Sequence, residues 1–133
     1  EYIETFYQTY PKVREYYDDL LEKAREDGYV QTFFGRKRWL PGLNDANAMM
    51  RQAAQREAIN MPIQGTSADI IKFAMVEIDR KLQEKQFQSR MIMQVHDELV
   101  FEVHQDEKQE IYSIVQTVME GVVDWMIPLS VNI

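Results

Sequence analysis

Two short apolar segments separated by only three residues constrain this chain more than any other feature. Met91 to Val95 and Leu99 to Val103 flank His96, Asp97 and Glu98. Parallel strands need a crossover of a dozen residues or more, so a connection this short leaves an antiparallel hairpin. Both segments are rich in β-branched and large apolar residues, and both faces are expected to be mostly covered.

The connection itself is unusual. Tight hairpins turn on Asn-Gly, Asp-Gly or a Gly-first pair because those residues tolerate positive φ. Three bulky ionisable residues stand here instead. Adjacent carboxylates at the end of an apolar hairpin repel one another and resist desolvation, so they need a cation, a hydrogen-bond network or open water. A divalent cation such as Mg²⁺ prefers carboxylate oxygens and is commonly held by one or two of them together with substrate phosphates. A solvated polar turn is the plainer reading of the same residues.

The rest of the chain reads as helices around small sheets. Ile3, Phe6 and Tyr10 suggest a short helix running into Pro11. Val13, Tyr16, Tyr17, Leu20, Leu21 and Ala24 continue at helical spacing to Gly28. The Tyr-rich stripe of this helical pair is expected to be core. Tyr29 to Phe33 and Arg38 to Leu40 flank Gly35 as a second small hairpin. A helix is expected from Ala46 to Met61, ended by Pro62, with Thr66 or Ser67 capping the next one, whose apolar face is Ile70, Ile71, Ala74, Met75, Ile78 and Leu82. The clearest period runs from Ile111 to Met126, with Pro128 as its stop. Leu129, Val131 and Ile133 alternate as a strand cut short. These elements make the fold class α+β, a small antiparallel sheet packed by amphipathic helices.

On the Ala46–Met61 helix, Gln52, Arg56 and Asn60 recur four apart, and Gln64 follows. Such donors can reach the acceptors that every base pair presents in the minor groove, or they form a solvated helix face.

Composition limits the chemistry. In 133 residues there is no Cys and there are two His, so disulfides, thiolate nucleophiles and His-rich metal cages are excluded. Metal chemistry would rest on carboxylates. The formal net charge of −7 argues against a surface that grips phosphate everywhere. Its distribution differs from its sum, because residues 30–60 hold Arg36, Lys37, Arg38, Arg51 and Arg56 against only Asp45 and Glu57. This block reads as an anion-facing surface or as a solvated loop. There is no apolar run of membrane-spanning length and no signal-peptide pattern, so a cytoplasmic chain is expected. The missing initial Met and the ending in mid-alternation suggest a fragment.

Three segments carry a resemblance. RMIM followed by QVHDELVFE (Arg90–Glu102), REAINMPIQGTSADII (Arg56–Ile71) and GYVQTFFGRKRWLPGL (Gly28–Leu43) together resemble the carboxy-terminal part of the polymerase domain of family A DNA polymerases, the bacterial DNA polymerase I family. The resemblance extends over essentially the whole chain, in order. It implies a fragment of palm and fingers, with residues 1–45 in fingers and 46–133 in palm with a flanking DNA-contacting helix. It implies a DNA-directed DNA polymerase that transfers a nucleotide from dNTP to a primer 3′-hydroxyl by a two-metal mechanism with Mg²⁺. Asp97 would be the metal-binding palm carboxylate, Glu98 its acidic neighbour and His96 a group against the primer end. Arg56, Asn60 and Gln64 would contact primer-template DNA. A bacterial, nucleoid-associated location is implied as well. The family's first motif, which supplies the second metal-binding Asp, and its nucleotide-binding helix are not in this sequence. An isolated chain of this kind is expected to be inactive, and its open sheet edges could pair two copies.

A metal-dependent phosphohydrolase built on His96 and Asp97 is the weaker catalytic alternative, since it would need more His ligands than His96 and His104. The non-catalytic alternative is an α+β interaction module whose acidic turn is merely solvated.

Overall fold

The computed structural model describes residues 2–133. They form two compact units, divided between Thr66 and Ser67. The division falls inside one long helix.

The first unit begins with helices α1 (Tyr2–Thr9) and α2 (Pro11–Asp27). Pro11 opens α2, and Gly28 ends it at φ 78, donating its N–H to the Ala24 carbonyl at 3.0 Å. A left-handed residue at this position suits Gly, which has no Cβ to clash. Strands β1 (Tyr29–Gln31) and β2 (Lys37–Trp39) pair antiparallel with Val30 opposite Arg38. A short 3₁₀ turn, Pro41–Asn44, leads into helix α3 (Ala48–Glu84). Asn47 starts that helix by accepting the Met49 N–H on Oδ1 at 2.9 Å. Ala24, Val30, Leu40, Leu43, Ala54 and Ala58 form the buried core, with Leu20, Leu21 and Met61 packed on it. Ala54 lets backbone approach α3 closely: a Cβ on Gly42 would lie 3.3 Å from that of Ala54.

The second unit comprises the remainder of α3, strands β3 (Arg90–Val95) and β4 (Glu98–Glu102), and helix α4 (Lys108–Glu120). Ala74, Ile78 and Leu82 of α3 meet Ile111, Val115 and Val118 of α4, and Leu99 and Phe101 of β4 pack against them. Residues four apart on α3, and three or four apart on α4, make one apolar face on each.

Several expectations need correction. Pro62 does not end a helix, since it lies inside the 37 residues of α3. An interior proline costs about 3 kcal/mol through a lost hydrogen bond and a ring clash. Burial of Ile71, Ile78 and Leu82 downstream returns about 1.5–3 kcal/mol each, so the helix continues. Thr66 is accordingly no N-cap. Helix α4 stops at Glu120, where Gly121 is a poor helix former, and does not reach Met126. No strand forms over residues 129–133; Val131 N–H donates instead to Glu120 Oε1 at 3.1 Å. The Tyr-rich stripe is largely surface: Tyr2, Ile3, Phe6, Tyr10 and Tyr16 are all exposed. The β3–β4 hairpin is covered on one face only. Residues paired across an antiparallel ladder share a face, and Met93 and Val95, opposite Val100 and Glu98, are exposed. A bulge at Ile92, between the Met91–Phe101 and Met93–Val100 pairs, produces this change of face.

Candidate nucleic-acid interface and acidic hairpin tip

The tip belongs to the second unit. Val95 pairs with Glu98, so the connection is two residues, His96 and Asp97, and Glu98 opens β4. That corrects the three-residue connection expected from sequence. His96 has φ 55. Histidine is among the non-glycine residues enriched in this region, which is how a turn without glycine closes. Gln94 Nε2 donates to the His96 carbonyl at 2.8 Å and braces the turn. His96, Asp97 and Glu98 are all exposed, so water screens the two carboxylates from one another.

The donor row belongs to the first unit. Because α3 runs through Pro62, Gln52, Arg56, Asn60 and Gln64 are successive i, i+4 neighbours on one helix, and all four are exposed. The basic residues around them differ in what holds them. Arg36 Nη2 donates to the Gly65 carbonyl at 3.0 Å, and Arg38 pairs with Glu57 at 3.0 Å. Arg51 Nη1 donates to the Asp45 carbonyl at 2.7 Å, and Lys37 Nζ sits 4.0 Å from the centroid of the Tyr29 ring. Among the described residues Arg56 alone of the five has no such side-chain partner. The basic block is therefore mostly fastened within its own unit.

The tip and the donor row lie in different units, and each is a site candidate in its own right. A metal centre of three or more His, Asp or Glu side chains does not occur among the described residues. Asp97 and Glu98 nonetheless offer hard oxygen donors of the kind Mg²⁺ takes, one or two at a time. Their fit is that of a partial site.

Sequence reasoning missed two clusters. Thr32, Arg36, Gly65 and Thr66 fasten the β1–β2 turn to α3, and the signal available was an isolated Gly within a helical pattern. Glu107, Ser89 and His104 form a clasp at the open end of the β3–β4 hairpin. Glu107 accepts from the N–H groups of Gln88 and Ser89, both at 2.9 Å, and from Ser89 Oγ at 2.5 Å. Ser89 Oγ in turn accepts from the His104 N–H at 2.9 Å. The Ser89 hydroxyl holds the Glu107 carboxyl below the usual carboxylate range, with the Gln88 N–H adding to the effect.

The structure thus presents an exposed acidic strand-to-strand turn and, separately, an exposed row of donors on α3. The family model described as DNA polymerase family A matches residues 1–133. The chain belongs to that family. It is 46% identical over 132 residues to the thermostable DNA polymerase I of Thermus thermophilus, covering 99% of this chain and 16% of that protein. It is 43% identical over 133 residues to DNA polymerase I of Mycobacterium tuberculosis (strain ATCC 25618 / H37Rv), covering 100% of this chain and 15% of that protein. Among solved structures, the POL domain of Pol1 from M. smegmatis, in complex with DNA primer-template and dNTP, matches with a TM-score of 0.93 and 41% identity, over 96% of this chain and 23% of that chain. The chain thus spans about a sixth of the length of these full-length relatives. No helix among the described residues is long and apolar enough to cross a membrane.

Proposed function

We propose that this chain works as part of a template-directed DNA polymerase, with residues 1–45 belonging to the fingers and 46–133 to the palm and its DNA-contacting helix. The observation that carries the reading is the donor row. In a chain matched end to end by DNA polymerase family A, Arg56 is the basic-block cation without an internal partner among the described residues, and it stands between Gln52 and Asn60 on one exposed helix face.

In this reading Arg56, Asn60 and Gln64 donate to minor-groove acceptors and backbone of a primer-template duplex, reporting base-pair geometry more than sequence. His96 lies against the primer end. The reaction joins the primer 3′-oxygen to the α-phosphorus of a dNTP as the bond to pyrophosphate breaks and the hydroxyl proton passes to solvent water. Asp97, with Glu98 beside it, would hold a divalent cation. When bound, such ions lower the pKa of the attacking hydroxyl and neutralise charge on the leaving oxygen. The contribution of the chain itself is position: paired strands and the Gln94 brace fix the backbone of the turn that bears Asp97. The 133 residues alone, with one carboxylate pair, do not extend a primer.

The test is Asp97→Ala in a full polymerase bearing this chain. A lost metal ligand removes several kcal/mol of transition-state stabilisation, so single-turnover incorporation falls on the order of a thousandfold. Primer-template affinity stays within about threefold, because the donor row is untouched. Near-normal incorporation by the variant would overturn the role of Asp97.

A further inference from the structure

Pro62 takes one N–H out of the α3 ladder, and an interior proline is where a helix kinks. The bend at such a joint is set by whatever is bonded on either side of it. Immediately beyond Pro62 the β1–β2 turn is fastened to the helix. Thr66 Oγ1 donates to the Pro62 carbonyl and accepts the Phe33 N–H at 2.9 Å. Arg36 Nη2 donates to the Gly65 carbonyl at 3.0 Å. The turn is itself closed, with Arg36 N–H on Thr32 Oγ1 at 3.1 Å and Thr32 N–H on the Arg36 carbonyl at 2.9 Å. Thr32 and Thr66 are both buried. The approach is close enough to require Gly65, since a Cβ there would lie 2.7 Å from Thr32 Cγ2 and 3.2 Å from Arg36 Nη2.

Gln64 lies between these fastenings. It stands beyond the proline joint, whereas Arg56 and Asn60 stand before it. We propose that the turn over residues 32–36 is a splint across the Pro62 joint, and that Thr32, Gly65 and Thr66 are positioning residues that keep Gln64 in line with Arg56 and Asn60 for the duplex. This rests on the donor row being the DNA contact. A purely structural fastening would lower stability when cut and leave the three donors independent. A splint makes the contribution of Gln64 depend on Thr66.

The experiment measures primer-template affinity in a polymerase bearing this chain, together with the melting temperature of each variant. Thr66→Val keeps the shape and removes both hydroxyl bonds; it is expected to weaken affinity about fivefold to tenfold, while Thr66→Ser restores it. Gln64→Ala is expected to cost affinity on its own and little more when added to Thr66→Val. Simple additivity of the two losses, or a Thr66→Val variant with lowered melting temperature and unchanged affinity, overturns the splint. Gly65→Ala provides a second route should Thr66→Val fail to fold. Its affinity loss is expected to be reversed by Thr32→Ser, which removes the Cγ2 in the way and keeps the hydroxyl, and failure of that rescue also counts against the proposal. If Arg56→Ala and Gln64→Ala each leave affinity unchanged, the DNA-contact reading of the row fails, and the splint with it. If both weaken binding and the coupling is absent, the splint alone is wrong.

Discussion

His96 holds its backbone at φ 55, where Cβ crowds the following carbonyl and a non-glycine residue loses about 1–2 kcal/mol. The side chain is exposed, so apolar packing does not offset that loss. His96→Gly is therefore expected to keep or slightly raise the stability of the hairpin, and His96→Val to lower it by about 1–2 kcal/mol, since a β-branched residue tolerates positive φ least. Denaturant titration of the two variants checks this, and equal stabilities would show that the turn carries no such strain. The tip was legible in the sequence because its three residues contradict ordinary turn chemistry. Arg56 was legible as a member of the row with Gln52 and Asn60, and as one of five basic residues. What distinguishes it is that the other four have partners within their unit, and some of those partners are distant in sequence: Arg38 finds Glu57 and Arg36 finds the carbonyl of Gly65. Such pairings do not follow from local spacing.

The elements show the same division between local and long-range causes. Helices α1 and α2, both hairpins and the apolar faces of α3 and α4 followed from periodicity, Pro11 and Gly28, all of which act locally. The continuity of α3 through Pro62 did not, because it depends on burial downstream and on a turn that docks from some thirty residues away in sequence. Nor did the clasp of Ser89, His104 and Glu107, whose members are loop and helix-terminal residues with no period. That clasp has a pH signature. Hydrogen bonds from Ser89 and Gln88 favour the ionised Glu107 and lower its pKa in the folded state. Its stabilisation is thus complete above the unfolded carboxyl value, about 4.3, and is lost as pH falls through the lower folded value. Glu107→Gln is expected to melt at a lower temperature than the parent chain at neutral pH, with the gap closing in acid. Thermal melts of both proteins from neutral pH to about pH 2 test it, the range following from the ordinary carboxyl value. A gap independent of pH would mean that the carboxylate charge does not matter to the clasp.

At the scale of the whole molecule, a formal charge of −7 would repel a duplex if it were spread evenly. It is uneven, and the contacts sharpen the picture further. Within the basic block Arg38 is paired with the Glu57 carboxylate, whereas the carbonyl that Arg51 meets and the ring under Lys37 are uncharged and leave those two charges in place. The donor row itself mixes one charged residue, Arg56, with the uncharged Gln52, Asn60 and Gln64. These two kinds of donor separate by salt dependence. Each cation that neutralises a phosphate releases counterion and adds about 0.9 to the slope of log affinity against log salt for duplex DNA. In a polymerase bearing this chain, Arg56→Ala is expected to weaken primer-template binding and to flatten that slope by about 0.9. Asn60→Ala is expected to weaken binding at every salt concentration and leave the slope unchanged. Fluorescence anisotropy with a labelled primer-template across a salt series distinguishes them. A slope unmoved by Arg56→Ala would place the free cation away from phosphate, and the row would then read the duplex through base edges alone.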